Sequence, residues 1–133
     1  MNEVKAREVN ENLEGKITID SRAADSVLPR DNLEDMSPLL PKKANIKFTA
    51  ANGQTISNYG RRNVVFRAKG RAGINCMTFH VTDVTKPLAS VSKIVEKGSS
   101  VHFTPGGSYI KRPSGEKIDL KLENGVYVMD VRY

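Results

Sequence analysis

An aspartate at the end of an apolar strand pattern is the first candidate for chemistry in this sequence. Ile17 and Ile19 alternate with polar residues and lead to Asp20, and Ser21 with small residues follows before a second apolar patch at Val27. A carboxyl group at the buried end of a strand is costly unless it is hydrogen-bonded or functional. On these residues alone two interpretations stay open: an aspartate that caps its own turn, or an acid–base group of a catalytic site.

Other patterns that could carry chemistry are weaker. Cys76 and His80 fall on the same face of a predicted strand, but strand spacing puts them about 13 Å apart, too far for a thiol–imidazole hydrogen bond. One cysteine and two histidines are too few for the usual four-ligand zinc site. The chain has no phosphate-binding loop and no Gly-x-Ser-x-Gly motif. The sequence therefore predicts no metal and no cofactor.

The size and composition of the chain indicate one globular domain. It has 133 residues, 38% of them hydrophobic. No run approaches the roughly 18 apolar residues of a membrane span, and the polar start is unlike a signal peptide. A single cysteine fits a reducing compartment. We therefore expect a protein that is neither secreted nor inserted in a membrane.

Charge is divided unevenly along the chain. Residues 1–40 carry five basic and nine acidic side chains, whereas residues 41–133 carry the other basic residues and a minority of the acidic ones. The formal charge of the whole chain is +6. A basic surface can attract nucleic acid, so a small basic β-barrel that binds nucleic acid is one hypothesis. The basic stretch 60–73 encloses an apolar insert at 64–66, which favours a hairpin arm with charged ends over an RNA-binding tail.

Period-two patterns and turn dipeptides predict short strands in a closed or sandwiched antiparallel β domain. Asn52-Gly53 predicts a two-residue hairpin between strands at 46–50 and 56–59, with Gly60 ending the second. Later strands are expected at 64–66, 77–81, 101–103, 109–110, 118–122 and 126–131. One helix is predicted over 87–97, with Pro87 in its first turn, an apolar face that includes Val95, and Gly98 as the stop.

The residues around Asp20 resemble a known active-site loop. Residues 20–28, Asp-Ser-Arg-Ala-Ala-Asp-Ser-Val-Leu, are similar to the loop of the retropepsins, which reads Asp-(Thr/Ser)-Gly-Ala before a second acid and an apolar pair. Residues 49–56 look like the flap hairpin of copia-type retrotransposon proteases. Residues 79–103 are similar to a third block of that family, which contains Leu-(Ile/Leu)-Ser-Val-(Ser/Gly)-Lys-Leu and then Val-x-Phe. The three motifs stand in the family's order over about residues 16–131.

This resemblance implies a mainly β fold, a retropepsin-like closed β-barrel with one short helix near the C-terminal half, working as a homodimer. Each subunit would contribute Asp20 to a pair of carboxyl groups at the two-fold axis. Two close carboxyl groups share one proton and activate water to cleave a peptide bond. The implied activity is that of an aspartic endopeptidase that processes a polyprotein, in the cytoplasm or within retroelement particles. Residues 1–15 would be a polar leader or processing segment, and 16–133 the protease domain.

The resemblance also assigns supporting roles around the catalytic carboxyl group. Ser21 would form a hydrogen bond across the dimer interface, and Arg22 and Ala23 would complete the active-site loop. Asp25 matches a position that lines the substrate cleft. At the flap, three residues would close over an extended peptide: Ala51, Asn52 and Gly53.

Arg22 departs from the family, which has glycine at that position. If its guanidinium group folded back onto the Asp20 pair, both carboxyl groups would be ionised and the shared proton lost. If it pointed to solvent, the cost would be backbone strain of about 1–3 kcal/mol. A second hypothesis is therefore a retropepsin-fold binding module whose catalysis is impaired by Arg22.

Overall fold

Strands dominate the computed structural model, which describes residues 13–42, 47–49 and 52–133. This confirms the predicted mainly β class. In chain order the strands are β1 Glu14–Asp20, β2 Val27–Pro29, β3 Phe48–Thr49, β4 Thr55–Ile56, β5 Asn58–Ala68, β6 Ile74–Thr82, β7 Leu88–Ser90, β8 Ser100–His102, β9 Tyr109–Lys111, β10 Lys117–Asp119, β11 Lys121–Glu123 and β12 Val126–Arg132. The helix of the described residues, α1 (Val91–Glu96), follows β7 directly.

Six strands form a sheet that closes on itself in the order β1, β7, β2, β6, β5, β12 and back to β1. Strand β11 extends this ring from β12, while β8, β9 and β10 form a separate three-stranded sheet. The prediction of an antiparallel domain is wrong for two strand pairs, because β1 with β7 and β2 with β6 pair in parallel. Long connections separate the members of both pairs, as parallel pairing requires.

The core fills the inside of the ring with aliphatic side chains and two phenylalanines, Phe66 and Phe79. Ile17, Phe79 and Met129 are almost fully buried, and Ile110 and Ile118 add side chains from the three-stranded sheet. Because the chain has no tryptophan, its core consists mainly of aliphatic side chains.

The first described residues belong to the ring. Strand β1 begins at Glu14, so the last two residues of the predicted 1–15 leader pair with β12, Gly15 opposite Val131. The carbonyl group of Leu13 accepts a 2.9 Å hydrogen bond from the Tyr133 N–H. Residues 1–12 of the predicted leader lie outside the described residues.

Gly60 does not end a strand, as the sequence predicted, but lets β5 pass through a bulge. The register against β6 shifts between Asn58 and Gly60, and Gly60 has a φ of 142°. Its Cα lies against the Leu40 carbonyl group, which leaves no room for a Cβ. Leu40 and Arg61 exchange backbone hydrogen bonds of 2.7 and 2.9 Å beside it. Glycine therefore continues the strand here because both its φ and the close approach exclude a side chain.

The predicted helix over 87–97 is wrong in its first part, since Leu88–Ser90 is strand β7. The residues of β7 pair with β1, and Ala89 is fully buried between neighbouring strands. Helix α1 starts only after Ser90, whose side chain accepts from the Lys93 N–H as an N-cap. Val95 is 51% exposed and so not on the buried face. The predicted stop is confirmed, because Gly98 follows with a φ of 98°.

Two predicted turns are confirmed. The glycine-rich stretch 69–73 connects β5 and β6 in one long hairpin. Asn124 and Gly125, with φ values of 50° and 82°, form the two-residue connection between β11 and β12. The predicted strand at 118–122 is two strands, because the chain leaves one sheet at Leu120 and joins another.

The last residue of the chain, Tyr133, gives a pH-dependent contribution to stability. Burial raises the pKa of Tyr133 from 10 to about 12, so the folded chain keeps a proton that the unfolded chain loses between these values. The free energy of unfolding should therefore fall across pH 10–12, by about 2–3 kcal/mol at ~1.4 kcal/mol per pKa unit. In urea denaturation at several pH values, Tyr133→Phe should lack this part of the decline; identical declines in both proteins would contradict the burial effect.

Candidate active site

The Asp20 carboxyl group lies at the carboxyl end of β1, beside Ser90 of the parallel strand β7. Its residue is half-buried, between the buried Ile19 and the exposed Ser21. The Asp20 Oδ1 atom accepts a 2.8 Å hydrogen bond from the backbone N–H of Arg22. The turn-capping interpretation of Asp20 is thus satisfied, and the capped carboxyl group still faces the surface at the end of a buried strand.

The Arg22 side chain is exposed to solvent, which is the second of the two poses considered for it. Within the described chain its guanidinium group has no carboxylate within 4 Å, so it does not fold back onto Asp20 of its own subunit. Among the described non-glycine residues, only Leu33 and Asn124 have positive φ. The expected backbone strain at Arg22 is therefore absent, because this position does not use the conformation that favours glycine.

A buried serine holds the loop that follows Asp20. Ser90 is fully buried, and its hydroxyl group donates a 2.7 Å hydrogen bond to the Ala23 carbonyl oxygen. The Ser90 N–H donates to the Ser26 hydroxyl group at 2.9 Å, and the Ser26 carbonyl oxygen accepts from the His80 N–H at 2.9 Å. Hydrogen bonds from strands β7 and β6 therefore hold the loop. The sequence did not predict these hydrogen bonds.

Removing the Ser90 hydroxyl group should loosen this loop. Ser90→Ala leaves the half-buried Ala23 carbonyl group without its donor and α1 without its cap, so we expect a loss of about 1–3 kcal/mol in the free energy of unfolding. Ser92→Ala is the matched control, since Ser92 is exposed and its hydroxyl group hydrogen-bonds with the Ser90 hydroxyl group, whereas the Ala23 carbonyl group accepts from Ser90. Urea denaturation measures both; equal losses would show that the Ser90–Ala23 hydrogen bond does not stabilise the loop.

Asp25 lies at the other end of the loop, in a cluster of charged and titratable groups. Its Oδ1 atom is 3.5 Å from Lys93 Nζ and 3.8 Å from His80 Nε2. Asp25 also lines a cavity of about 520 Å³, together with Arg61, Lys93 and other residues. Sequence reasoning missed Lys93 and the place of His80 in this cluster, because only the fold brings α1 and β6 to the loop.

A short antiparallel pair, β3–β4, lies where the sequence predicted a hairpin, and Thr49 pairs with Thr55 in it. Five residues therefore connect the strands, and the predicted two-residue hairpin is wrong. Asn52 explains part of the difference, because its side chain accepts from the Gln54 N–H at 3.0 Å and so forms a turn of its own. Gly53 has a φ of 88°. Both tip residues are exposed, and Ala51 lies outside the described residues.

The base of this hairpin reaches the Asp25 cluster. The Phe48 ring lies 5.4 Å from the His80 ring, and His80 in turn lies beside Asp25. The other residue of the rejected thiol–imidazole pair, Cys76, is exposed whereas His80 is buried. The fold thus brings together Asp25, the hairpin base and the 20–26 loop, and Cys76 lines the same cavity as Asp25 and His80.

Two arginines of the basic stretch 60–73 donate hydrogen bonds to backbone carbonyl groups of the fold. Arg62 is buried and donates a 2.6 Å hydrogen bond to the Ser37 carbonyl oxygen. Arg61 Nε donates to the Pro41 carbonyl oxygen at 2.9 Å. These arginines hold the 37–41 segment against β5, so the stretch 60–73 is a structural hairpin arm, as its apolar insert predicted.

Neither a metal site nor a membrane span is found in the described part of the chain. Its histidine, cysteine and carboxylate side chains form no group of three that could hold a metal ion. Within residues 13–42, 47–49 and 52–133, no helix has the length and apolar character to cross a membrane.

No protein-family model, curated protein or solved structure matches the chain. Its function has to be inferred from its own residues and their geometry.

Proposed function

We propose that the protein is an aspartic endopeptidase of the retropepsin type, active as a homodimer with a closed-barrel protease domain. The observation that carries the proposal is the setting of Asp20. Its carboxyl group stands at the surface end of a buried strand, accepts the Arg22 N–H, and opens a loop fixed by Ser90. A carboxyl group held in this way is positioned before substrate binds, and preorganised acid–base groups are what such hydrolysis needs.

In the proposed dimer the two Asp20 carboxyl groups share one proton, because like charges at short distance disfavour double ionisation. The ionised group takes a proton from a bound water as the water oxygen attacks the scissile carbonyl carbon. The protonated group gives its proton to the carbonyl oxygen, and a tetrahedral diol forms. When the C–N bond breaks, the leaving nitrogen receives a proton and the hydroxyl proton returns to the pair, which restores the starting state.

The residues around the pair take the roles implied by the resemblance. Ser21, exposed on the loop, would form its hydrogen bond to the other subunit. Asp25 lines the cavity beside the loop, and we assign it to the substrate main chain. Its neighbours Lys93 and His80 hold its side chain in place. The tip residues Asn52 and Gly53, with Ala51, would close over an extended peptide that binds by strand-like hydrogen bonds.

The substrate class follows from the same resemblance. We assign the chain to the processing of a polyprotein, inside cells or within retroelement particles, and no step above requires a metal or cofactor. Residues 1–12 would then be the remainder of a processing segment ahead of the ring.

A catalytically impaired binding module is the second candidate, and the exposed cation of Arg22 next to Asp20 favours it. If this guanidinium group reached Asp20 of the other subunit in a dimer, it would favour two ionised carboxyl groups. The two candidates differ in the expected effect of Arg22→Gly. An impaired module should gain peptide cleavage, whereas the protease should keep its kcat/KM within about threefold, since Arg22 carries no strain and only its backbone N–H contacts Asp20.

The test is cleavage of an extended apolar peptide at acidic pH by wild type and Arg22→Gly, each measured over a series of protein concentrations. The protease proposal predicts activity that a pepstatin-type inhibitor removes, and a specific activity that falls on dilution as the dimer dissociates. Activity that appears only in Arg22→Gly would establish the impaired module. A specific activity that is independent of concentration, down to the detection limit, would contradict the shared site.

A further inference from the structure

The cavity of about 520 Å³ that Asp25 lines runs along β6, away from the candidate active site. Its lining includes His80 and Ile74, which are separated along β6 by roughly 20 Å at about 3.3 Å per residue. Asp25 lies at the His80 end. Arg112 lies at the other end, where its Nη2 atom donates a 3.0 Å hydrogen bond to the Ile74 carbonyl oxygen. We call this space the β6 cavity, and its volume is typical of small-molecule sites, about 300–1,000 Å³.

Helix α1 and the residues after it form one wall of the β6 cavity. Lys93 of α1 is 3.5 Å from Asp25 at the near end. Lys97 caps the helix one turn later, and the next residue, Gly98, lies so close to Pro113 that an added Cβ would be 3.3 Å from Pro113 Cγ. The far end of the cavity therefore lies at the end of α1, a helix turn away from the Asp25 cluster.

The floor of the β6 cavity is part of the hydrophobic core. Within the described chain, β6 pairs with β2 only at residues 80–82, so residues 74–79 extend past β2, and the cavity lies along this part of the strand. Buried apolar side chains from several elements line it: Phe66, Ile94, Ile110, Ile118 and Met129. A cavity that reaches such side chains can remove an aliphatic chain from water.

Basic side chains outnumber acidic ones in the lining of the β6 cavity. The acidic residue of the lining is Asp25, and the basic residues are Arg61, Lys93, Lys97 and Arg112. Lys93 pairs with Asp25, and Arg112 pairs with Glu116 at 3.0 Å. Lys97 has no carboxylate within 4 Å among the described residues. A bound carboxylate can therefore pair with Lys97 without displacing a partner.

We propose that the far end of the β6 cavity binds an amphipathic carboxylate, an aliphatic chain that ends in a carboxylate group. The aliphatic chain packs on three isoleucines of the floor, Ile94, Ile110 and Ile118. Lys97 follows Ile94 by three residues on the same face of α1, so a chain against Ile94 brings its carboxylate to Lys97. Charge complementarity favours this ligand over a cationic amphiphile. The proposal does not involve Asp20, so it holds whether or not the protein cleaves peptides.

Isothermal titration calorimetry of the full chain with decanoate tests the proposal. We expect saturable binding that weakens at least about fivefold in Lys97→Glu, where an attraction becomes a repulsion, and that is unchanged in Lys86→Glu. Lys86 is the matched control, since it is an exposed lysine outside the cavity lining. Decyltrimethylammonium, which has the opposite charge, should not bind.

The length of the aliphatic chain tests its burial on the floor. Each methylene group removed from water strengthens binding by roughly fourfold. Decanoate should therefore bind about tenfold more tightly than octanoate, which is shorter by two methylene groups. This comparison uses the unsubstituted protein and so does not depend on the folding of any variant.

The single cysteine of the chain reports where the ligand binds. Cys76 is exposed and lines the β6 cavity, two residues from Ile74. Iodoacetamide should alkylate its thiol, and decanoate should slow this reaction over the concentration range in which it binds. Decyltrimethylammonium at the same concentrations should leave the rate unchanged. Mass spectrometry of the intact chain measures the alkylated fraction over time.

Four results would overturn the proposal: no saturable binding of decanoate up to about 1 mM, equal affinity in wild type and Lys97→Glu, equal affinity for decanoate and octanoate, and binding without protection of Cys76. Binding only after removal of residues 1–12 would also overturn it and would identify the chain's own N-terminal segment as the occupant. Protection of Cys76 by an extended peptide but not by decanoate would show that the cavity takes peptide instead.

Discussion

Asp20→Asn should lower kcat/KM for cleavage of an extended peptide by at least about 10³-fold, the upper part of the range for a single acid–base group. Asparagine keeps the size of the side chain and an oxygen that can accept the Arg22 N–H. It removes the ionisable group, however, and with it the proton that the two subunits share. The fold should survive, because Asp20 is only half-buried and its turn is still capped. Peptide cleavage together with urea denaturation measures both effects.

Asp31→Asn is the matched control for this prediction, since Asp31 is an exposed aspartate beyond the 20–26 loop. It should leave kcat/KM within about twofold, as expected of an exposed side chain with no catalytic role. Full activity in Asp20→Asn would refute the assignment of the catalytic carboxyl group. Loss of cleavage together with loss of the folded state would instead show that Asp20 is needed for structure, and the assignment would then fail as stated.

Gly60→Ala should destabilise the fold by about 3 kcal/mol or more. The φ of 142° lies in a region that is essentially restricted to glycine, and an added Cβ would meet the Leu40 carbonyl oxygen. Backbone strain and overpacking each cost about 1–3 kcal/mol. The melting temperature should fall by roughly 10 °C for a domain of this size. Thermal unfolding followed by circular dichroism measures the change.

Gly70→Ala separates the cost of backbone strain from the cost of overpacking. Gly70 also has positive φ, at 81°, but no atom lies within 4 Å of the position that a Cβ would take. Only the conformational cost of about 1 kcal/mol then applies. Equal losses in the two variants would mean that the contact between the bulge and the 37–41 segment adds nothing to stability.

The local part of the fold could be predicted from the sequence. Asn124-Gly125 is a two-residue turn because both residues readily adopt positive φ. The stretch 69–73 connects two strands whose apolar residues alternate at a period of two. Such signals depend on neighbouring residues alone, so they remain valid in any fold that the chain adopts.

Long-range pairing could not be predicted in this way. Leu88–Ser90 continues the helical pattern of Val91 and Ile94, yet it is a strand because β1 and β2 pair with it. The local sequence predicts that Gly60 ends a strand. The bulge that Gly60 forms instead depends on Leu40, which lies twenty residues earlier. In both cases a tertiary contact overrides the local preference.

The residues of the candidate site also divide into those indicated by local sequence and those placed by long-range contacts. Asp20, Arg22 and Ala23 could be singled out from the order of residues in one loop, as could Asp25. Ser90, Lys93 and His80 could not, because each reaches that loop from a distant strand or helix. Sequence patterns therefore indicated the candidate residues of the loop more readily than the residues that hold this loop in place.

A tandem dimer, two copies of the chain joined by a flexible linker, gives the most direct test of a site shared between two subunits. With Asp20→Asn in one copy only, the proposed proton-sharing pair is broken in every molecule. Cleavage should then fall at least about 10³-fold relative to the unsubstituted tandem, as far as with both copies substituted. Retention of about half the activity would show that each copy hydrolyses peptides with its own Asp20, and the shared carboxyl pair would be disproved.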